Sequence, residues 1–383
     1  MKEGWSYKKL GEVCEVISGQ SPEGKFYNTE GQGTPFYQGK KEFSSKYIGN
    51  PTTWTTVETK IAEKDDLLMS VRAPVGDINF ATQRLCIGRG LAAIRTKEDI
   101  DKEYLFYFLV AQKSCIKGKE GVGFASINRK EIMDIDVQYP KDFSEQRSIV
   151  TRLDAAFSHI DALKANAEKQ LNEARKLFQA ELTECMKPKE GWEEKTLKEV
   201  SEIAGEYGLN ASSKPFDGVR YLRITDITDF GYLNDDKVSA NVEDGKKQDE
   251  LVEGDILFAR TGATVGKTLV YRKDFGDCLF AGYLIRYRLK KDCILPRFIH
   301  YITHSKEYYK WVETNQEAAA QPNISAKKYN MLFIRYPNID VQHRIVSHLD
   351  SLSSTIRKLE ELQQKTFAEC DALKQAMLRE VFE

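Results

Sequence analysis

The sequence predicts an α/β protein built on one plan used twice. Two mixed α/β domains are separated by an antiparallel two-helix coiled coil, the whole forming a pseudo-two-fold internal repeat. Three observations carry this expectation. Gly4-Trp5-Ser6-Tyr7-Lys8-Lys9-Leu10-Gly11-Glu12-Val13 reads against Gly191-Trp192-Glu193-Glu194-Lys195-Thr196-Leu197-Lys198-Glu199-Val200. The stretch from Ile127 to Pro140 reads against Ile324 to Pro337, both ending in Tyr-Pro. Each half closes on a long heptad-patterned segment, announced by Gln146-Arg147-Ser148-Ile149-Val150 and Gln342-His343-Arg344-Ile345-Val346. Two long copies are not a short-period solenoid. The expected boundaries are 1–143 and 187–340 for the globular domains, and 144–186 and 341–383 for the helices.

In chain order, Asp66-Leu67-Leu68-Met69-Ser70-Val71 reads as a buried strand leading into a turn at Gly76, followed by strands at Leu85-Cys86-Ile87 and Leu91-Ala92-Ala93-Ile94. Continuous apolar runs of this length, bounded by turn residues, suit buried strands. Glu103-Tyr104-Leu105-Phe106-Tyr107-Phe108-Leu109 suits a short helix with one aromatic face turned to the core. The second half offers Asp255-Ile256-Leu257-Phe258-Ala259-Arg260 before Gly266, then Tyr283-Leu284-Ile285-Arg286-Tyr287, then a helix over Arg297-Phe298-Ile299-His300-Tyr301-Ile302.

The predicted helix seam contains Ile149, Leu153, Ile160, Leu163 and Leu177 in the first helix, and Ile345, Leu349, Leu352, Ile356, Leu359 and Leu373 in the second. Spacings alternating four and three residues indicate a coiled coil. A helix of about 39 residues is about 58 Å long at 1.5 Å per residue. The chain leaves helix one at Met186-Lys187-Pro188-Lys189-Glu190 directly into the domain that joins the start of helix two. Paired helices must therefore run antiparallel, with an axis near Ala165 and Glu361 and one domain towards each end. Packing of each helix on its own domain, or pairing between chains, is the alternative. Leu171, Phe178, Leu362 and Phe367 are read as apolar surface beyond the seam, either thickening it or completing a partner's helical bundle.

The totals exclude several classes. The chain has 383 residues, 41% hydrophobic and 30% charged, with net charge −1, so any nucleic-acid interface must be a local basic face. No apolar run approaches a bilayer span and no apolar N-terminal signal region is seen, so a cytoplasmic protein without membrane contact is expected. Seven cysteines never fall as Cys-x-x-Cys, and five histidines never as His-Glu-x-x-His, so no metal site is expected. Gly262-Ala263-Thr264-Val265-Gly266-Lys267-Thr268 has one residue too few between its glycines for a phosphate-binding loop, and is read as a turn. Gly88-Arg89-Gly90 is too short for a dinucleotide fingerprint. No Asn-Pro-Pro-aromatic or Asp-Pro-Pro-aromatic segment marks an amino-methyltransferase, and Glu63, Asp65 and Asp66 lack the context of nuclease ligands. No catalytic residue is expected.

The halves share a scaffold but differ in their polar loops. Phe36-Tyr37-Gln38-Gly39-Lys40-Lys41 stands where the second half has Tyr221-Leu222-Arg223-Ile224-Thr225-Asp226. Val71-Arg72-Ala73-Pro74-Val75-Gly76 stands against Arg260-Thr261-Gly262-Ala263-Thr264-Val265-Gly266, and Ser126-Ile127-Asn128-Arg129-Lys130 against Asn323-Ile324-Ser325-Ala326-Lys327. Arg and Lys bond guanine edges, Asn and Gln bond adenine edges, and other polar groups hold phosphates. The candidate DNA-binding residues are Gln20, Gln38, Lys40, Lys41, Arg72, Asn128, Arg129 and Lys130 in the first half. In the second they are Arg223, Thr225, Arg260, Thr261, Lys267, Asn323, Ser325 and Lys327. Solvated loops that diverged after duplication are the competing reading.

Glu145-Gln146-Arg147-x-Ile149-Val150-x-x-Leu153-Asp154, its partner Gln342-x-x-Ile345-Val346-x-x-Leu349-Asp350, the Gly-Trp openings and Gly254-Asp255-Ile256-Leu257-Phe258-Ala259-Arg260-x-Gly262 together resemble the specificity subunit of type I restriction-modification systems. Val341 where the first copy has Glu145, and Ser70-Val71-Arg72-Ala73-Pro74 in place of the Arg-x-Gly form, are departures. The resemblance implies two target-recognition domains, each reading half of a bipartite double-stranded DNA site, and helices that set the gap. It also implies docking of two methyltransferase subunits and, in the full enzyme, two ATP-driven translocase–nuclease subunits. S-adenosylmethionine, ATP and magnesium would belong to those partners and no cofactor to this chain. A structural adaptor with two protein-binding domains on a rod, or a self-contained enzyme without recognisable motifs, are the rival readings.

Overall fold

A computed structural model of the chain describes residues 4–116, 125–228, 230–242, 250–316 and 322–382. It divides into two compact units, Met1–Ala167 with Gln363–Glu383, and Glu168–Leu362.

In the first unit, the strand Trp5–Lys9 opened by Gly4 pairs antiparallel with Asp136–Pro140, the strand that feeds the long helix. A four-stranded sheet runs in the order Cys14–Ser18, Leu91–Thr96, Leu67–Ser70, Ile78–Phe80. Beside it, Phe36 and Tyr37 pair in parallel with Cys86 and Ile87. The second unit repeats the plan. Glu193–Thr196 pairs with Phe333–Tyr336. The four-stranded sheet runs Ser201–Tyr207, Leu284–Leu289, Ile256–Ala259, Thr268–Val270. Tyr221 and Leu222 pair in parallel with Leu279 and Phe280. The duplication is thus present in these eight strands of each unit, whereas Tyr27–Asn28, Trp54–Thr55 and Ile61–Ala62 extend the parallel pair of the first unit. Among the described residues, the pair Ser212–Pro215 and Val238–Asn241 belongs to the second alone. The predicted strands coincide with observed ones to within a few residues at each end.

The aromatic helix is Lys102–Ala111 in the first unit and Pro296–Ile302 in the second. Tyr104 through Leu109 are all buried, so this helix is enclosed by core and does not present a single inward face. The helix Lys306–Asn315 was not anticipated; Ser305 caps it, accepting from the Tyr308 amide, and it buries Tyr308 and Val312.

The long helices run Phe143–Cys185 and Ile339–Phe382. Each is fastened at its start by the same two devices. Gln146 is fully buried; its amide donates to the Pro140 carbonyl at 2.8 Å and its oxygen accepts from the Asp101 amide at 2.8 Å. Gln342, also fully buried, donates to Pro337 O at 2.8 Å and Cys293 O at 2.9 Å and accepts from Leu295 N at 2.9 Å. Two turns on, Asp154 accepts from the Tyr107 hydroxyl and Lys46, and Asp350 from the Tyr301 hydroxyl and Arg297. Burial of a side-chain amide is tolerable only when its donors and acceptor are matched. That requirement explains the glutamine shared by both helix starts.

Within each unit the two helices run antiparallel. Lys164 bonds Asp371 at 2.6 Å and Asp161 bonds Lys374 at 2.5 Å in the first unit. In the second, Arg175 bonds Glu360 at 2.7 Å and Glu181 meets His348 at 2.9 Å.

The register differs from the heptad reading. A continuous stripe of buried and half-buried positions runs through Ile149, Leu153, Ala156, Ile160, Lys164, Ala167, Leu171, Ala174, Phe178, Leu182 and Cys185 in the first helix, with Val150 buried beside it at the start. In the second it runs through Ile345, Leu349, Leu352, Ile356, Leu359, Gln363, Thr366, Cys370, Lys374, Met377 and Val381, with Leu378 and Phe382, each 1% exposed, buried beside it at the end. Both stripes advance about 3.6 residues per step, the period of the α-helix itself, whereas a strict 3.5 repeat drifts about 20° per heptad away from it. The prediction for Leu163, Leu177 and Leu373 is therefore corrected: they are 57%, 71% and 51% exposed. Leu171 and Phe178 take the inward places at 5% and 7%. Among the described residues, no helix is long and apolar enough to cross a membrane.

Candidate nucleic-acid interface

One backbone frame recurs where the strands of each unit end in loops. In the first unit Gln20 N donates to Ile87 O (2.9 Å), Gly88 N to Tyr37 O (2.8 Å), Val71 N to Gly90 O (3.0 Å) and Ile127 N to Val71 O (3.1 Å). The second unit repeats every bond: Leu209 N to Phe280 O (2.8 Å), Ala281 N to Leu222 O (2.9 Å), Arg260 N to Tyr283 O (3.0 Å) and Ile324 N to Arg260 O (2.8 Å). Gly19 and Gly208 permit the crossing. A Cβ on Gly19 would stand 2.1 Å from the Gly88 carbonyl oxygen, and one on Gly208 2.3 Å from that of Ala281.

On this common frame the side chains differ. Gln38 occupies the place of Arg223, Gln20 that of Leu209, Gly90 that of Tyr283, Val71 that of Arg260, and Arg72 that of Thr261. The strand pairings thereby bring Gln20, Gln38 and the Val71-Arg72 turn around Gly88-Arg89-Gly90 in the first unit. In the second, Arg223, Thr225 and Arg260 line one concavity of about 610 Å³ with Tyr207, Tyr221 and Tyr283.

Not every predicted residue is equally available. Gln38 accepts from the Ser21 hydroxyl at 2.9 Å through its oxygen, and no acceptor among the described residues takes its amide hydrogens. Arg260 lies over the Tyr207 ring, 4.9 Å from its centroid, and donates through Nε to Asn323 at 3.2 Å. No acid among the described residues pairs with it, and its Nη groups meet no protein acceptor there. Arg223 is held by Asp226 at 2.7 Å and Asp236 at 2.6 Å, and these acids stabilise its charge, Asp226 most. Lys40 is tied to Asp77, which also holds Lys113. Burial alone would raise the Asp77 carboxyl, but the two ammonium groups outweigh it and hold it below its usual range.

Asn128 and Ser325 cap the helices Arg129–Met133 and Ala326–Asn330, accepting from Glu131 N at 3.1 Å and Lys328 N at 3.4 Å. Thr261 pairs with Asn323 through an isolated bridge, and Lys267 reaches the Ile227 carbonyl at 3.5 Å. Lys41, Arg72, Arg129, Lys130 and Lys327 are exposed. The sequence reading missed Arg89, Tyr207 and Tyr283. Tyr283 stands opposite Gly90 in the repeat, and a tyrosine in the place of a turn glycine was the available signal.

Segments resembling catalytic motifs resolve into structure. Gly262–Thr264 is a single 3₁₀ turn followed by the strand Thr268–Val270, so the helix N-terminus that a phosphate-binding loop requires is missing there. Glu63, Asp65 and Asp66 each pair with a cation, Arg84 at 2.6 Å, Lys102 at 2.8 Å and Arg95 at 2.7 Å. One set of metal-ligating residue types converges among the described residues, Glu181, Cys185 and His348, on the helix pair and not in these loops.

The family described as Type I restriction modification DNA specificity domain matches the chain twice, over residues 2–173 and 189–366. A protein of Methanocaldococcus jannaschii assigned as the MjaX type I restriction enzyme specificity subunit is 41% identical over 45% of this chain and 41% of its own length. The MjaIX specificity subunit of the same organism is 27% identical over 43% and 40%. The chain thus spans about two fifths of either relative. The StySPI type I specificity subunit of Salmonella potsdam is 22% identical over 77% of this chain and 68% of its length. The fold is shared with a chain solved in work on complex assembly and conformational transition of the type I R-M system, at TM-score 0.77 and 20% identity over 100% and 98% of the two chains. It is also shared with the HsdS subunit from Thermoanaerobacter tengcongensis, at TM-score 0.58 and 20% identity over 100% and 97%.

Proposed function

This chain belongs to the type I restriction-modification DNA specificity family, and on that premise we propose that it is the non-catalytic subunit that addresses such an enzyme to DNA. Each target-recognition domain, 1–143 and 187–340, reads one half of a bipartite double-stranded site. The long helices, 144–186 and 341–383, set the gap and dock two methyltransferase subunits. Two translocase–nuclease subunits complete the restriction enzyme in the cytoplasm. S-adenosylmethionine, ATP and magnesium are assigned to those partners, and the base that receives the methyl group is flipped into the methyltransferase pocket.

The observation that carries the reading is the recurrence of one hydrogen-bonded frame with different polar side chains at equivalent places. Gln38 in one copy and Arg260 in the other are oriented by protein contacts while keeping donors for a ligand. Gln suits an adenine edge and the Arg fork suits guanine, each worth about 1–3 kcal/mol of discrimination. Lys41, Arg72, Arg129, Lys130 and Lys327 are assigned to phosphates; Lys40, Arg223, Thr225, Thr261, Lys267, Asn323, Gln20, Asn128 and Ser325 support or extend the reading surface. Rigid linkage makes the second half-site engagement intramolecular, so specificity multiplies only at the correct spacing.

Selection of random duplexes by the chain, assembled with a type I methyltransferase subunit from the same genome, tests the proposal. Two short defined segments separated by a gap of fixed length and free sequence are expected. A heptad inserted into both helices should change the gap and leave both segments intact. A single contiguous motif, or none, would contradict the assignment.

A further inference from the structure

In the second unit the two long helices meet at three side chains whose ligand atoms all lie within 4.8 Å of one another: Glu181 and Cys185 on the first helix and His348 on the second. His348 Nε2 is 2.9 Å from Glu181 Oε1, and the Cys185 thiol donates to the same oxygen at 3.6 Å. Four residues apart, Glu181 and Cys185 share one helix face. We propose that these three form a binding site for a divalent transition metal of the zinc class, joining the two helices of this unit.

Thiolate, imidazole and carboxylate are the donors zinc takes, at about 2.3, 2.0 and 2.1 Å, which sets ligand atoms of a tetrahedral ion about 3.3–3.6 Å apart. The separations present bracket that range, so side-chain rotation suffices to close the shell. Three protein ligands leave a fourth position for water, and binding sends the thiol proton to solvent. A soft sulfur beside an imidazole selects zinc, cobalt or nickel over magnesium or calcium. Cys185 is half-buried against the apolar cluster of Phe178, Leu182 and Leu349, while His348 is half-exposed and gives the ion a way in.

The internal repeat supplies an independent observation. The alignment that superposes Gln146 on Gln342 and Asp154 on Asp350 puts Arg152 in the place of His348, and Met377 and Val381 in the places of Glu181 and Cys185. Met377 and Val381 pack against the hydrophobic core of the first unit. The same junction is therefore closed by apolar packing in one unit and lined by three metal-ligating side chains in the other. General drift towards polarity would not select a thiol, an imidazole and a carboxylate that all meet.

The test is titration of the tag-free, metal-stripped full chain with cobalt(II). One equivalent should develop a sulfur-to-cobalt charge-transfer band in the near ultraviolet and d–d bands in the visible, both displaced by zinc. Zinc should also raise the unfolding temperature. The variant Glu181→Met, Cys185→Val, His348→Arg carries the first unit's own junction residues, and should lose the bands and the zinc shift together. His348→Arg alone, at a half-exposed position compatible with folding, should weaken cobalt binding by about tenfold or more. Wild-type protein without the charge-transfer band overturns the proposal. So does a band that survives in the triple variant, or one that forms in His348→Arg at the same cobalt concentration as in the wild type, because the chain's other cysteines would then be the ligands.

Discussion

Replacing Gln342 with alanine removes a fully buried side chain that holds the start of the second long helix to its domain. Its three hydrogen bonds, to Leu295 N, Cys293 O and Pro337 O, lie between 2.8 and 2.9 Å. Leaving one buried and two part-buried backbone groups unmatched costs about 1 kcal/mol each at the low end, so a loss of about 2–3 kcal/mol is expected. Urea unfolding followed by tryptophan fluorescence reads it, since Trp192 and Trp311 pack on the core of that unit. Gln342→Glu sharpens the test. It keeps the acceptor for Leu295 N but turns a carboxylate towards two carbonyl oxygens, which raises the folded-state pKa of the new group above about 4.3. The variant should be most stable below that value, where the protonated acid can donate, and lose stability as pH rises through the raised pKa. A loss under about 0.5 kcal/mol for Gln342→Ala, or no pH dependence for Gln342→Glu, would refute the idea that matched burial of this amide fastens the helix.

Three further outcomes follow from the geometry. Leu171→Ala should destabilise the chain by about 3 kcal/mol and Leu177→Ala by less than about 0.5 in denaturant melts, the reverse of what a strict heptad requires. Asp77, held low by Lys113 and Lys40 against its burial, contributes stability that is present above about pH 4 and lost as pH falls through its depressed pKa; unfolding temperatures between about pH 5 and 2.5 should drop less steeply in Asp77→Asn. In binding selections, Arg260→Ala should relax one base position in one half-site by about 1–3 kcal/mol, whereas Lys41→Ala should weaken all sequences alike and reduce the salt slope by about one.

The duplicated architecture was legible because both copies keep the residues that fasten strands and helices: the Gly-Trp openings, the Tyr-Pro exits, the buried glutamines and the aspartates two turns on. The helix register was less so. Leu, Ala and Gln recur often enough in both segments to satisfy 3.5 and 3.6 periods alike over the first turns, and the difference moves the stripe only after Ile160. The loop candidates were half legible. Repeat comparison found Gln38, Arg223 and Arg260, but sequence gives no sign that Arg223 is held by Asp226 and Asp236 while no acid among the described residues pairs with Arg260. Asn128 and Ser325 look equally suited to bases and to helix caps, and only the backbone geometry assigns them to caps. Glu181 and His348 escaped a motif search because they lie on different helices, 167 residues apart.

The account rests on two separate readers in one chain, and single-molecule sequencing of genomic DNA tests it most directly. Cells expressing this gene together with a type I methyltransferase subunit from the same genome are compared with a deletion and with Arg260→Ala. The account predicts a methylated, interrupted motif that disappears on deletion and relaxes in one half alone in the variant. Methylation unchanged by deletion, with the methyltransferase expressed and active, would contradict it.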